Sequence, residues 1–94
     1  MKKKSESQDS LLRGLCIAIQ RRRELLGISQ EEVANRSGLH RTYISDIERG
    51  SRNPTLKTLA RLTVALEMSA SDLIKQAEIA SGKPATAQAT NSQI

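Results

Sequence analysis

Between Gln30 and Arg49 the chain has room for two short helices around one glycine, and this stretch constrains the fold more than any other. Ser29-Gln30-Glu31-Glu32 has the form of a capping box, in which Ser29 accepts from the amide of Glu32 while the Glu32 carboxylate reaches back to the amide of Ser29. A helix therefore starts there, and Gly38 ends it by taking the left-handed conformation of a tight helix stop. A second helix is expected from about His40 to Arg49, with Gly50 as its terminator and His40 as a helix-start residue. Val33 and Ala34 of the first and Ile44 and Ile47 of the second face inward, leaving Arg41, Thr42, Ser45 and Asp46 outside. Ala34 is small where the pair would press together, as two helices crossing steeply over a turn of about three to four residues require.

The flanking sequence supplies the rest of an all-α core. From Ser10 to Leu26 apolar residues fall at Leu11, Leu12, Leu15, Ala18, Ile19, Leu25 and Leu26, a helical stripe interrupted at Arg22, whose aliphatic stem can cover the core while its charge reaches water. Gly27 ends that helix. After the loop Ser51-Arg52-Asn53-Pro54, Thr55 is the N-cap of a helix in which Leu56, Leu59, Ala60, Thr63 and Leu66 share a face, with Leu62 and Val64 off the stripe. Ser69 opens a fifth helix with Ala70, Leu73, Ile74 and Ala77 inward. The 94 residues thus divide into a basic, flexible arm (1–9), a single five-helix domain (10–80) and a polar tail (81–94). That tail, rich in Ala, Thr, Gln and Ser, offers too little apolar surface to offset ordering entropy and is expected to be disordered.

Charge narrows the class of partner. The net charge is +5, and the excess is local: residues 10–28 and residues 41–61 are each +3, whereas 29–40 and 62–94 are slightly negative. Such patches suit a polyanion, with a merely solvated basic surface as the alternative. Cys16 is the only cysteine, which excludes an internal disulfide and fits a reducing cytoplasm, and one thiol with one histidine cannot build a zinc site. Cys16 is expected in the core, with redox sensing disfavoured by its apolar neighbours. No segment has the ~20 apolar residues of a membrane span, and the lysines at the start are not followed by a signal-peptide core. The chain shows no nucleophile paired with a base, no phosphate loop and no catalytic pair of carboxylates, so a non-enzyme without cofactor or metal is expected.

The residues Ile28-Ser29-Gln30-Glu31-Glu32-Val33-Ala34, Ser37 through Ser45, Asp46-Ile47-Glu48-Arg49-Gly50 and Arg52-Asn53-Pro54 resemble the Cro/C1-type (lambda repressor-like) helix-turn-helix domain. The resemblance covers about residues 11–79, and Leu39 through Ser45 is particularly similar to the controller proteins of restriction-modification systems. Arg22 departs from it, standing where the family usually has an apolar residue, and the tail is not part of the pattern. The resemblance implies a dimeric regulator of transcription whose third helix enters the major groove of operator DNA.

On that reading Arg41 and Thr42 read bases, with Ser45 and Asp46 as further readers one turn on. Arg41 would grip guanine O6 and N7, and Asp46 would accept from cytosine N4 or orient Arg41. Ser29, Gln30, Tyr43, Arg49, Arg52, Asn53 and Lys57 would hold the DNA backbone, Ser29 and Gln30 at a helix start that favours phosphate. Arg21 to Arg23 read as a solvent face with long-range attraction. A homodimer is expected because one helix reads few base pairs, with Met68, Ile74 and Ile79 as interface residues. Double-stranded operator DNA is the main partner, and RNA polymerase a further one. The alternatives are an antitoxin that binds DNA and sequesters a toxin, and an interaction module that has kept the fold without binding DNA.

Overall fold

The structure, a computed structural model, describes residues 6–82, and residues 6–9 by their backbone alone. It consists of α1 (Glu6–Leu26), α2 (Gln30–Ser37), α3 (Arg41–Glu48), α4 (Leu56–Ala65) and α5 (Ala70–Ser81), and no described residue is in a strand. Both ends pass the expected limits of the domain: α1 starts at Glu6 rather than Ser10, and α5 runs through Ser81 to a stop at Gly82. The remainder of the expected arm and tail, 1–5 and 83–94, lies outside the described residues.

The starts of three helices are set by side-chain caps. Ser29, Thr55 and Ser69 accept from the amides of Glu32, Thr58 and Asp72 at 3.0, 3.1 and 3.1 Å, each satisfying an amide that has no partner within its helix. The capping box at Ser29 is only half made. Glu32 turns its carboxylate to Arg36 Nε at 3.0 Å, a charged donor one turn along, instead of to the Ser29 amide. His40 is the N-cap residue of α3 but makes no side-chain bond to it.

Three helices stop in the same way, through crossed bonds from the two residues beyond the helix. Ile28 and Gly27 donate to Arg23 and Glu24 at 3.2 and 3.0 Å, Ser51 and Gly50 to Asp46 and Ile47 at 2.9 and 3.0 Å, and Met68 and Glu67 to Thr63 and Val64 at 3.1 and 3.2 Å. The turning residue must be left-handed. It is glycine after α1 and α3, but Glu67, with φ 58°, after α4.

The core is aliphatic, with Ile19, Val33, Ile44, Ile47, Leu62, Leu66 and Leu73 fully buried. Val33, Ala34, Ile44 and Ile47 face inward as expected, and Cys16 is buried. The stripes of α1 and α4 need correction. Leu11 and Leu25 are 39% and 75% exposed, Leu56 is 79% exposed and Ala60 is exposed, while Leu62, expected off the stripe, is fully buried. On α5, Leu73 and Ala77 are buried, Ile74 is half-buried and Ala70 is exposed.

α1 lies along α5, and Gly14 is what lets it approach: a Cβ there would stand 2.1 Å from the Ala77 carbonyl oxygen and 3.0 Å from the Ser81 amide nitrogen. α2 packs on both α3 and α4, so α3 is held between α2 and α1. Arg22 does not simply reach water. Its Nε and Nη2 donate to the carbonyls of Leu66 and Glu67 at 2.8 and 2.9 Å, placing a cation where the last carbonyls of α4 leave a negative end. The polar residue in an apolar position thus ties α1 to the turn between α4 and α5.

Candidate nucleic-acid interface

α3 sits on the rest of the domain through Ile44 and Ile47, both fully buried. Helical spacing then decides what is left outside. Arg41 and Thr42, in its first turn, are exposed and make no hydrogen bond or ion pair among the described residues, so their donors and acceptors are open to a ligand. Ser45 and Asp46 are half-buried one turn further along.

Below α3 lies an internal ion pair. Glu48, with a side chain 5% exposed, receives Arg23 Nε at 2.7 Å and Arg23 Nη2 at 3.0 Å, and Arg23 Nη1 donates to the Ile28 carbonyl at 3.0 Å. The hydrogen bonds to Glu48 hold the Arg23 guanidinium further above its already high ordinary value, against the opposing effect of burial. Gln30 Nε2 donates to the same carboxylate at 2.9 Å. One carboxylate at the end of α3 therefore ties α3 to α1 through Arg23 and to the start of α2 through Gln30, while Arg23 also holds the loop before α2. Arg23, expected on a solvent face, is a structural residue. Its signal was Glu48, an acidic residue that continues the inward face of Ile44 and Ile47 at helical spacing, where a carboxylate needs a cation beside it.

The expected backbone-holding residues are brought to two places. At the start of α2, Gln30 keeps one amide proton beyond its bond to Glu48, and the hydroxyl of Ser29 is exposed. Glu31 and Glu32 occupy the same first turn, so the positive end of α2 is already partly answered by carboxylates. Around the loop after α3 the charges are gathered: Arg49 Nη1 donates to Ser45 Oγ at 2.9 Å, Arg49 Nη2 pairs with Asp46 Oδ1, and Arg52 Nη2 lies 3.4 Å from Asp46 Oδ2. The Arg52 guanidinium also lies over the Tyr43 ring, 4.8 Å from its centroid, and Tyr43 itself packs against the core. Asp46 orients Arg49 and Arg52, not Arg41. Asn53 and Lys57 are exposed, and neither has a bonding partner among the described residues. No group of metal-ligating side chains occurs among the described residues.

Two short helices crossing at a left-handed glycine, with the second presenting a free arginine and threonine, make a helix-turn-helix, and the helix-turn-helix family profile matches residues 19–73. The chain belongs to the helix-turn-helix family of the Cro/C1 type. This helix-turn-helix chain is 50% identical over 52 residues to control protein C.SmaI of Serratia marcescens, covering 55% of this chain and 62% of that protein. It is 49% identical over 47 residues to control protein C.BamHI of Bacillus amyloliquefaciens, covering 50% and 58%. It thus spans about three fifths of the length of these curated relatives. Among solved structures, the restriction-modification controller protein C.Esp1396I, a tetramer in complex with its natural 35 base-pair operator, matches with a TM-score of 0.73 and 38% identity over 78% of this chain and 96% of that one.

Proposed function

We propose that this chain is a sequence-specific DNA-binding regulator of transcription of the restriction-modification controller kind, acting as a dimer on a two-fold-related operator. The observation that carries the reading is the state of Arg41 and Thr42: exposed, unpartnered, and mounted on a helix whose other face is locked by Ile44, Ile47 and the Glu48–Arg23 pair. An interaction module has no need of polar groups held ready in this way, whereas a base edge in the major groove requires them. The relatives named as control proteins and the operator complex of C.Esp1396I support the same reading. A cytoplasmic site of action suits the lone reduced cysteine, and RNA polymerase is the further partner such a regulator meets at a promoter.

The dimer surface belongs to the apolar groups the fold leaves uncovered. Ile79 is 56% exposed and available, while Met68 and Ile74 pack partly against their own core. We assign Leu56, Ala60 and Val64 to the same surface, because they are exposed and follow one another at four-residue spacing along one face of α4.

Selection of bound sites from random duplex DNA tests the whole reading. It should yield a two-fold-related sequence with half-sites spaced by a helical turn or more, and Arg41→Ala should lose ~1–3 kcal/mol on that sequence but much less on one already changed at the contacted base pair. Recovery of no preferred sequence would sink it.

A further inference from the structure

Asp46 is the one carboxylate on the outward face of α3, and a carboxylate facing a polyanion is repelled unless something compensates it. Its side chain is 17% exposed, while the arginines it holds, Arg49 and Arg52, are 63% and 51% exposed. One anion is thus kept in and two cations are kept out. Each cation has a second anchor, Ser45 Oγ for Arg49 and the Tyr43 ring for Arg52, so the pair is held in a fixed place with one of its two charges cancelled.

We propose that Asp46 is a specificity-determining residue that holds Arg49 and Arg52 back from DNA of arbitrary sequence and releases them where the base opposite it donates a hydrogen bond. This rests on the DNA-binding reading above. On an arbitrary duplex, phosphates compete for the two guanidiniums, and a carboxylate stripped of them faces the backbone without a partner. That cost opposes binding where affinity comes mostly from phosphate contacts. Where cytosine N4 or adenine N6 lies opposite, the carboxylate exchanges its arginines for an amino donor, and both cations become free for phosphate. Removing the charge therefore strengthens binding to the wrong sequences and leaves the right one without that gain.

The test uses the full chain and its Asp46→Asn and Asp46→Ala variants, each checked for folding by thermal melting. They are titrated against the duplex that the unaltered protein selects from a random pool and against a scrambled duplex of equal length, between about 50 and 200 mM salt. Both variants should bind the scrambled duplex about tenfold more tightly near 0.1 M salt, with a log–log salt slope steeper by about one, because losing the carboxylate raises the net charge that faces the phosphates by one. On the selected duplex no such gain is expected, so the ratio of the two affinities falls about tenfold. Adding Arg49→Ala and Arg52→Ala to Asp46→Asn should abolish the gain on scrambled DNA, which a purely structural aspartate would not predict. An unchanged ratio, whether both duplexes gain or both lose, overturns the proposal while the DNA-binding reading stands. Failure of the unaltered protein to distinguish the two duplexes overturns that reading and this proposal together.

Discussion

Glu67 holds a backbone conformation that its side chain disfavours. At φ 58° it turns the chain after α4, the position that Gly27 and Gly50 occupy after α1 and α3. A non-glycine residue in this region is strained by about 1–2 kcal/mol. Its retention has visible partners: the Glu67 carboxylate accepts from Arg36 Nη1 at 3.0 Å, and its carbonyl accepts from Arg22 Nη2 at 2.9 Å. Comparing Glu67→Gly with Glu67→Ala removes the Arg36 contact from both and isolates the backbone. The glycine variant should be the more stable by about 1 kcal/mol in urea unfolding, the reverse of the order in a helix interior. Equal stabilities would mean that the turn relaxes out of the left-handed region when Arg36 lets go.

At the scale of the helices, what could be read from sequence was what is local. Gly38, Gly50 and the caps at Ser29, Thr55 and Ser69 act within a few residues of themselves, and each does what its neighbours in the chain imply. The phase of α4 was not legible. Leu56, Leu59, Leu62 and Val64 lie on more than one side of a ten-residue helix, and the surfaces packed against it, chiefly α2 and α5, decide that Leu62 goes in and Leu56 stays out. Within the site, Arg41 and Thr42 could be placed because they need no partner, whereas the destinations of Arg22, Arg23, Arg49 and Arg52 depend on groups the fold brings to them. Gly14 belongs to the same class: a glycine inside a helix signals close approach, but not to what. Replacing it by alanine would ordinarily strengthen α1 by about 1 kcal/mol. Here the added methyl meets the backbone of α5, which has no side-chain freedom with which to give way, so Gly14→Ala should destabilise by about 1–3 kcal/mol in urea or thermal unfolding. A stabilised variant would show that α1 and α5 are less closely apposed than described.

Considered whole, the molecule presents unpartnered polar side chains on α3 and an uncovered apolar stripe on α4, so on the proposed function self-association is expected to be separable from DNA binding. Val64 is 71% exposed, and Val64→Asp should leave the monomer folded while weakening self-association by about tenfold or more, as followed by sedimentation. An unaffected dimer would move the interface to the surface around Ile79. The buried thiol adds a pH dependence. Burial raises the Cys16 pKa above its ordinary value of 9.0, partly opposed by a backbone hydrogen bond. Below 9.0 the thiol is neutral in both folded and unfolded chains; as pH rises past that value the unfolded chain ionises first, and stability is lost until the folded thiol also titrates. Alkaline unfolding curves of the unaltered protein and Cys16→Ala should therefore diverge above that pH, and parallel curves would count against a desolvated thiol. The pairing of α1 with α5 has a consequence for the order of events in synthesis. α1 emerges from the ribosome first and its main partner last among the five helices, so a nascent chain ending anywhere before α5 carries an apolar face with nothing to cover it. Such a chain is open to holdase chaperones or proteolysis until the fifth helix emerges, so the yield of folded protein is expected to fall when translation pauses before α5.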